Sequence, residues 1–495
     1  MEYFVNCNTG TLAPYSVPLD NVKAAHLYRR LGFSASVQTI DSATGANAGT
    51  LVDVLVNQAL ATPDLPAPVW ANWTSANYPA DDEAARDLRN AQIREWKLAY
   101  TNALVSNNLK DRMSFFWSNH FVTELEVYEC NSFLYYYINC LQRNSLGNFK
   151  TFVSEVGLTS AMLYYLDGAY NNSNEPNENY ARELYELFTL GEGSGYTEAD
   201  IVETARALTG YVERGEINCS QVAFDATRHD TDNKTIFGQT GNYGYDEVID
   251  MLFQERPTEI ATFICRKLYE FFVHPDSKGD AGSNVQIIID GMASTMISNN
   301  FEITPVLRQL FKSEHFFSDN AVGVIIKSPF DLYLNLVKEG NFTYTDDTLN
   351  SAMNSCRLLS QNLFNPIDVA GWQRDRSWIN TNFMIGRWLT LEMFITDLWQ
   401  ANPEEFRTFG IEATGANGST TNDPDEVARA IIHKVTPKGF IEELYYTTAY
   451  TVFREQYESD TVYMDGSWSM NLERAGQQVY DLLKHLVREP EFQLK

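Results

Sequence analysis

Apolar side chains recur every three or four residues through most of this chain, and a backbone with that period buries them by coiling into helices that pack face to face. The clearest stretch is "NENYARELYELFTLG", Asn177 to Gly191. At about 100° per residue, Tyr180, Ala181, Leu184, Tyr185, Leu187 and Phe188 fall on one half of the wheel, and Glu178, Arg182, Glu183 and Glu186 on the other. Asn177 is placed to cap this helix, and Gly191 supplies the left-handed residue that ends it. The same pattern predicts helices over Leu19 to Leu31, Glu83 to Asn107, Asp111 to Trp117, Asn131 to Arg143, Leu146 to Glu155, Glu198 to Thr209, Asp246 to Phe253 and Pro257 to Phe271. Helical spacing dominates beyond Phe271 as well. The exception is "GYVERGEINCSQVAFDATRHD", Gly210 to Asp230, whose alternation around Arg214 and Gly215 suggests a short hairpin. The expected fold is mainly α: one large multi-helix core over residues 1–400, with that β-hairpin inserted. A small C-terminal helical subdomain over 401–495 is expected after the loop-like "EATGANGSTTNDPDE", where Asn422 or Asp423 before Pro424 signals the next helix.

With 44% apolar residues in 495, the chain can bury one large core or two to three smaller ones. Its 37 basic and 65 acidic residues leave a net charge of -28, which repels phosphate backbones and anionic membranes. Nucleic acid is thus not an expected partner. No apolar run approaches the roughly 18 residues of a membrane span. The first residues, "MEYFVNCNTGTLAPYSVPLDNVK", lack a basic start followed by an apolar core, so the chain as given is expected in the cytoplasm unless it was trimmed or leaves by another route. Cys7, Cys130, Cys140, Cys219, Cys265 and Cys356 form no CxxC pair and no metal-ligand spacing, so buried free thiols are expected. Whether Cys130 pairs with nearby Cys140 stays open.

Seven stretches, in order, carry a resemblance. They are "AAHLYRRLGF" from Ala24, "FFWSNHFVT" from Phe115, "ENYARELYELFTLG" from Glu178, "YTEADIVETARALTGY" from Tyr196, "FDATRHDTDNKTIFGQTG" from Phe224, "ATFICRKLYEFFV" from Ala261 and "NPIDVAGWQRDRSWIN" from Asn365. Together they resemble one bacterial family, catalogued as domain of unknown function 1800. The resemblance implies no reaction. It does imply that Glu178, Asn179, Arg182, Glu183 and Glu186 belong to a motif rather than to an arbitrary wet face. Many members resemble secreted proteins with export signals, from which this chain departs.

Three constellations carry chemistry. His120 lies among aromatics in "WSNHFVT", either as a hydrogen-bonded core residue or as a general base. His229, Asp230 and Lys234 fall in a loop, where His and Asp serve catalysis or turn making. His120, His229, Asp230 and Asp250 imitate the ligand order of all-helical metal phosphohydrolases, but the His-Asp pair is not within a helix, so no metal is expected. "FGQTGNYGYDEVIDML" is read as a capped loop, because Asp246 and Glu247 already occupy the first turn. In "GWQRDRSWIN", Trp372, Arg374, Arg376, Trp378 and Asn380 could stack on a sugar, clamp a carboxylate or latch the fold, the latch being preferred. No cofactor fingerprint is present.

Two classes of function remain. In one, Glu178, Arg182, Glu183, His120, His229 and Asp230 converge as an acid-base site acting, as a hydrolase or lyase, on a carbohydrate or other polar polymer. In the other, a binding or assembly protein with a protein or carbohydrate partner uses the same residues as a structural network. The second is favoured, since nothing specifies a nucleophile, a metal set or a cofactor.

Overall fold

In the computed structural model the described residues are 9–107, 109–212, 218–277, 283–415, 422–455 and 461–495. Helices dominate them, with two two-stranded antiparallel ladders. Two helices are buried almost all round. In Leu109–Ser118 every residue from Leu109 to Trp117 is buried, and in Pro329–Glu339 only Lys338 is not. A helix buried on every side must sit at the centre of a large core. The other helices wrap these two, and buried apolar residues from Leu19 to Phe492 form one continuous cluster. No described helix is long and apolar enough to cross a membrane.

The helices start where side chains can take up free amides. Asp20, Asn47, Asp81, Asn148, Thr197, Ser328 and Asp423 each accept a backbone N–H in the first turn of the following helix. Ser328 and Asp331 close a reciprocal capping box, with Ser328 N donating to Asp331 Oδ2 at 3.0 Å. The expected boundaries of the first half agree with the observed helices to within a few residues.

The Asn177–Gly191 stretch departs from its expected regularity. Asn179 N donates to Asn177 Oδ1 at 2.9 Å, and Gly191 is left-handed at φ +91°, as anticipated. The helix is α only over Asn179–Glu183, however, and continues as a π-helix over Leu184–Thr189. Tyr185 O accepts from both Leu190 N (2.8 Å) and Gly191 N (3.0 Å), while the Thr189 hydroxyl bonds Leu184 O. The wider turn re-aims the last carbonyls of the helix.

The expected hairpin is present, pairing Tyr211 with Phe224 and Val212 with Ala223; its central Arg214 and Gly215 lie outside the described residues. A second hairpin, Lys234–Ile236 with Gln239–Gly241, occupies a stretch that reads as loop in the sequence. Its turn residues Phe237 and Gly238 both have positive φ (+50° and +81°), the geometry of a tight hairpin turn, but a Phe in that position gives no turn signal in sequence. Gly244 then begins the next helix, with Glu247 accepting its N–H at 3.0 Å, as the capped-loop reading holds.

The free-thiol expectation holds for Cys140, Cys265 and Cys356 and fails for Cys130 and Cys219, which form a disulfide across 89 positions; Cys7 lies outside the described residues. Cys130, at the start of the Asn131–Asn144 helix, thus holds the far arm of the first hairpin instead of pairing with Cys140. Closing so long a loop restricts the unfolded chain, and Cys130→Ser with Cys219→Ser is expected to cost about 2–5 kcal/mol in urea unfolding. A peptide map of unreduced, alkylated protein should show these two cysteines linked.

Candidate functional site

The charged arc of the 178–190 helix forms a fan at the surface. Arg182 donates to Glu198 (2.8 and 3.1 Å), Glu186 (3.2 Å) and Glu178 (3.3 Å), with a third of its own side chain exposed and Glu198 largely so. Glu183 is half-buried, and burial, with Glu186 nearby, pushes its carboxyl above the usual range. Among the described residues no hydrogen bond or ion pair joins Glu178, Arg182 or Glu183 to His120 or His229.

The second constellation is a tie between helix and hairpin. His229 Nδ1 lies 2.9 Å from Thr209 O, so that nitrogen carries the proton. Asp230 accepts two bonds from Arg206 (2.8 and 3.3 Å) and one from Asp232 N (2.9 Å). Burial opposes the charge of Asp230, but Arg206 outweighs it and holds the carboxyl below its ordinary value. Buried Lys234 donates to Asp230 O, Tyr243 O and Asn242 Oδ1. Asp250 pairs with Lys150 at 2.7 Å, so the four residues that imitate a metal set are engaged separately.

His120 meets the charged helix at its apolar end. Its Nε2 is 3.0 Å from Phe188 O, which can only accept, so Nε2 is the donor and Nδ1 carries the lone pair. Lys267 Nζ donates to that Nδ1 (3.2 Å) and to Leu187 O (3.2 Å), lying over the Phe263 ring at 4.6 Å from its centroid. Both carbonyls belong to the π turn. Burial, and then the charges of Lys267 and Arg374, hold the His120 pKa well below its usual value.

The Trp and Arg loop closes over these groups. Gly371 is left-handed (φ +90°), and a Cβ there would collide with Asn119 Oδ1, the atom that accepts Trp372 N at 2.5 Å. Trp372 lies 5.0 Å from the Phe115 ring and donates its indole N–H to Asn362 O (3.1 Å). Both Trp372 and Trp378 are buried, Asn380 caps the Thr381–Ala401 helix through Phe383 N (3.0 Å), and Arg376 is exposed. Arg374 reaches back to Glu270, 3.5 Å away.

Under this loop lies a cavity of about 210 Å³, walled by Phe115, Phe116, Phe271, Trp372 and Trp378. Glu270, Arg374, Asp375, Asn119 and Gln373 stand around it, with Asp331 and Lys495 also in its lining. Asp331 is fully buried between Arg112 (2.8 Å) and Lys495. The Arg112 guanidinium lies over the rings of Phe33 (4.4 Å) and Phe271 (4.6 Å). Burial works against the Asp331 carboxylate, but Arg112 and Lys495 outweigh it and hold the group well below the usual carboxylate range.

The structure therefore gathers His120, Trp372, Arg374 and Trp378 into one region and leaves Glu178, Arg182, His229 and Asp230 out of it. Sequence reasoning missed Lys267, Glu270, Asp331, Arg112 and Lys495. A signal existed for two of them: Lys267 and Glu270 interrupt the aromatic face of "FICRKLYEFF" between Phe263 and Phe271.

The sequence model of the family described as "Protein of unknown function (DUF1800)" matches residues 26–494, nearly the whole chain, and the chain belongs to that family. No curated protein and no solved structure matches it.

Replacing Arg182 by Ala is expected to cost at most about 1 kcal/mol, the range of exposed ion pairs. Trp378→Ala should cost about 3–5 kcal/mol, as large aromatic truncations in cores do. The low Asp331 pKa implies stability that is present above the unfolded carboxylate pKa, near 4, and is lost as pH falls through the folded value. Asp331→Asn leaves Arg112 unpaired, should cost about 3–5 kcal/mol at pH 7, and should flatten the loss of stability below about pH 4. Urea unfolding of the three variants across pH checks all of this.

Proposed function

We propose that this member of the DUF1800 family is a binding protein for an uncharged, hydroxyl-rich ligand of the carbohydrate class, seated in the cavity beneath Trp372 and Trp378. The observation that carries the reading is the balance of the cavity's lining. Five aromatic side chains give the lining an apolar surface suited to the C–H side of a sugar ring, and amides and carboxylates around it are groups that can bond hydroxyls. The lining carries three carboxylates, Glu270, Asp331 and Asp375, and two basic groups, Arg374 and Lys495, with Arg112 supplying a third positive charge from behind Asp331. A ligand of strong net charge would break that balance, whereas a neutral polyol would not. In this reading the Arg112–Asp331–Lys495 network shapes the floor and takes no part in chemistry. The Cys130–Cys219 bond supports maturation in an oxidising compartment over the cytoplasmic expectation.

The test is calorimetric titration with neutral mono- and oligosaccharides while tryptophan fluorescence is followed. Binding should change the emission of Trp372 and Trp378. Gln373→Ala with Asp375→Asn, two changes at the cavity mouth, should weaken it by about tenfold or more, the scale of lost hydrogen bonds to a ligand, with the melting temperature unchanged. If no neutral saccharide binds, or if the double variant binds as well as the parent, the reading fails.

A further inference from the structure

We propose that Lys267 is a nucleophilic amine, held ready beside the cavity to condense with the carbonyl carbon of an aldehyde or ketone. Its partners give the first indication. Among the described residues no carboxylate lies within ion-pair distance of Lys267: Glu270, one turn on in the same helix, is taken by Arg374 and by the Ser277 hydroxyl. The partners it has are two acceptors, Leu187 O and the lone pair of His120 Nδ1, the latter fixed by the bond from Nε2 to Phe188 O. A neutral amine has two N–H bonds and can satisfy both acceptors while keeping a free lone pair. An ammonium in the same place has a third N–H, which no protein acceptor among the described residues takes up.

The charged groups around the nitrogen act in opposite directions, and those that disfavour the ammonium prevail. From the loop above, Arg374 opposes a second positive charge. From the Leu109–Ser118 side, His120 is held neutral. Glu270, on Lys267's own helix, favours the ammonium, as do the face of the Phe263 ring and the helix-end carbonyl of Leu187. Burial first, and then Arg374, bring the Lys267 pKa down to about 7 against this pull. Lys267 is half-buried, not sealed. Arg374 and Glu270, the two charged groups that act on it, also line the cavity, so the amine lies behind the cavity's charged rim.

The reaction balances without any other reagent. The Nζ lone pair attacks the carbonyl carbon and the C=O electron pair moves to oxygen. Both hydrogens of the amine leave with that oxygen as one water, giving the C=N bond of an imine. This inference does not rest on the saccharide reading, since any small aldehyde would report it.

The experiment treats the full-length protein with glyceraldehyde and sodium cyanoborohydride from pH 6 to 10 and locates the reduced adducts by peptide mass mapping. At pH 7 Lys267 should be labelled at least about tenfold faster than surface Lys150, because an ordinary lysine is almost wholly protonated there. Its labelling should rise with a midpoint near pH 7, and Arg374→Gln, which removes a neighbouring positive charge, should move that midpoint upward and slow labelling at pH 7. Lys267→Arg should abolish the fast adduct. If that variant fails to fold, the Lys267-to-Lys150 ratio in the unmodified sequence decides alone. Equal rates for the two lysines at pH 7, or Lys267 labelling that appears only above about pH 9 as for an ordinary lysine, would overturn the proposal.

Discussion

Everything around the cavity depends on one buried ionic contact, Asp331 between Arg112 and Lys495. It joins the two all-round buried helices to a segment far away in sequence. Desolvating three charges costs several kcal/mol each, and the attraction repays this only when geometry is good and the remaining donors and acceptors are used. Here Asp331 is also the partner of the Ser328 cap, so one carboxylate ends a helix, neutralises Arg112 and anchors Lys495. Arg112 in turn lies over Phe33 and Phe271, which lets a guanidinium occupy an aromatic core.

The same device recurs along the Pro329–Glu339 helix. Glu339, two turns after Asp331, accepts from Arg29 at 2.6 Å and from Ser34 at 2.8 Å, both out of sight of solvent. Arg387 donates to Gln493 and to Lys327 O, while Lys327 itself lies over the Phe492 ring and is lowered by burial to about 8. The 490–495 segment runs beside 325–327, with Lys327 N bonded to Gln493 O and Lys495 N to Ile325 O. Ionic and polar contacts thus fix the register of segments that apolar packing alone would leave free to slide, at a cost that a core of this size can carry.

This division decides what could be read in the sequence. Helix starts such as Asp20, Thr197 and Asp423, the amphipathic face from Tyr180 to Phe188, and the first hairpin are local signals, and local signals are legible one segment at a time. The pairing of Cys130 with Cys219, the ion pair of Arg112 with Asp331 and the approach of Lys267 to His120 join residues 89 to 219 positions apart. No periodicity encodes them. The motif whose charges stand out most in the sequence, Glu178 to Glu186, uses Glu178, Arg182 and Glu186 in ion pairs that remain in reach of solvent. Its contribution to the contacts of Lys267 and His120 is made by the backbone carbonyls of Leu187 and Phe188, which carry no side-chain signature at all. In the Trp and Arg loop, by contrast, three of the residues that stand out in the sequence, Trp372, Arg374 and Trp378, line the cavity.

The π turn connects these observations. A regular α-helix through Thr189 would return the carbonyls of its last turn along the axis, toward whatever caps its end. One extra residue in the turn, stabilised by the Thr189 hydroxyl on Leu184 O, leaves Leu187 O and Phe188 O to be met from the side by Lys267 and His120. These two side chains therefore satisfy orphan acceptors, which is reason enough for them to be polar in an aromatic core. Acceptors alone, however, do not explain why no carboxylate among the described residues pairs with Lys267. A helix C-terminus carries a partial negative charge that favours a cation. A lysine there is ordinarily free of nearby positive charge, whereas Arg374 stands close by and Glu270 turns to Arg374 instead. The backbone holds Lys267 in place, while the surrounding side chains weaken its proton. A purely structural cap would need only the first of these.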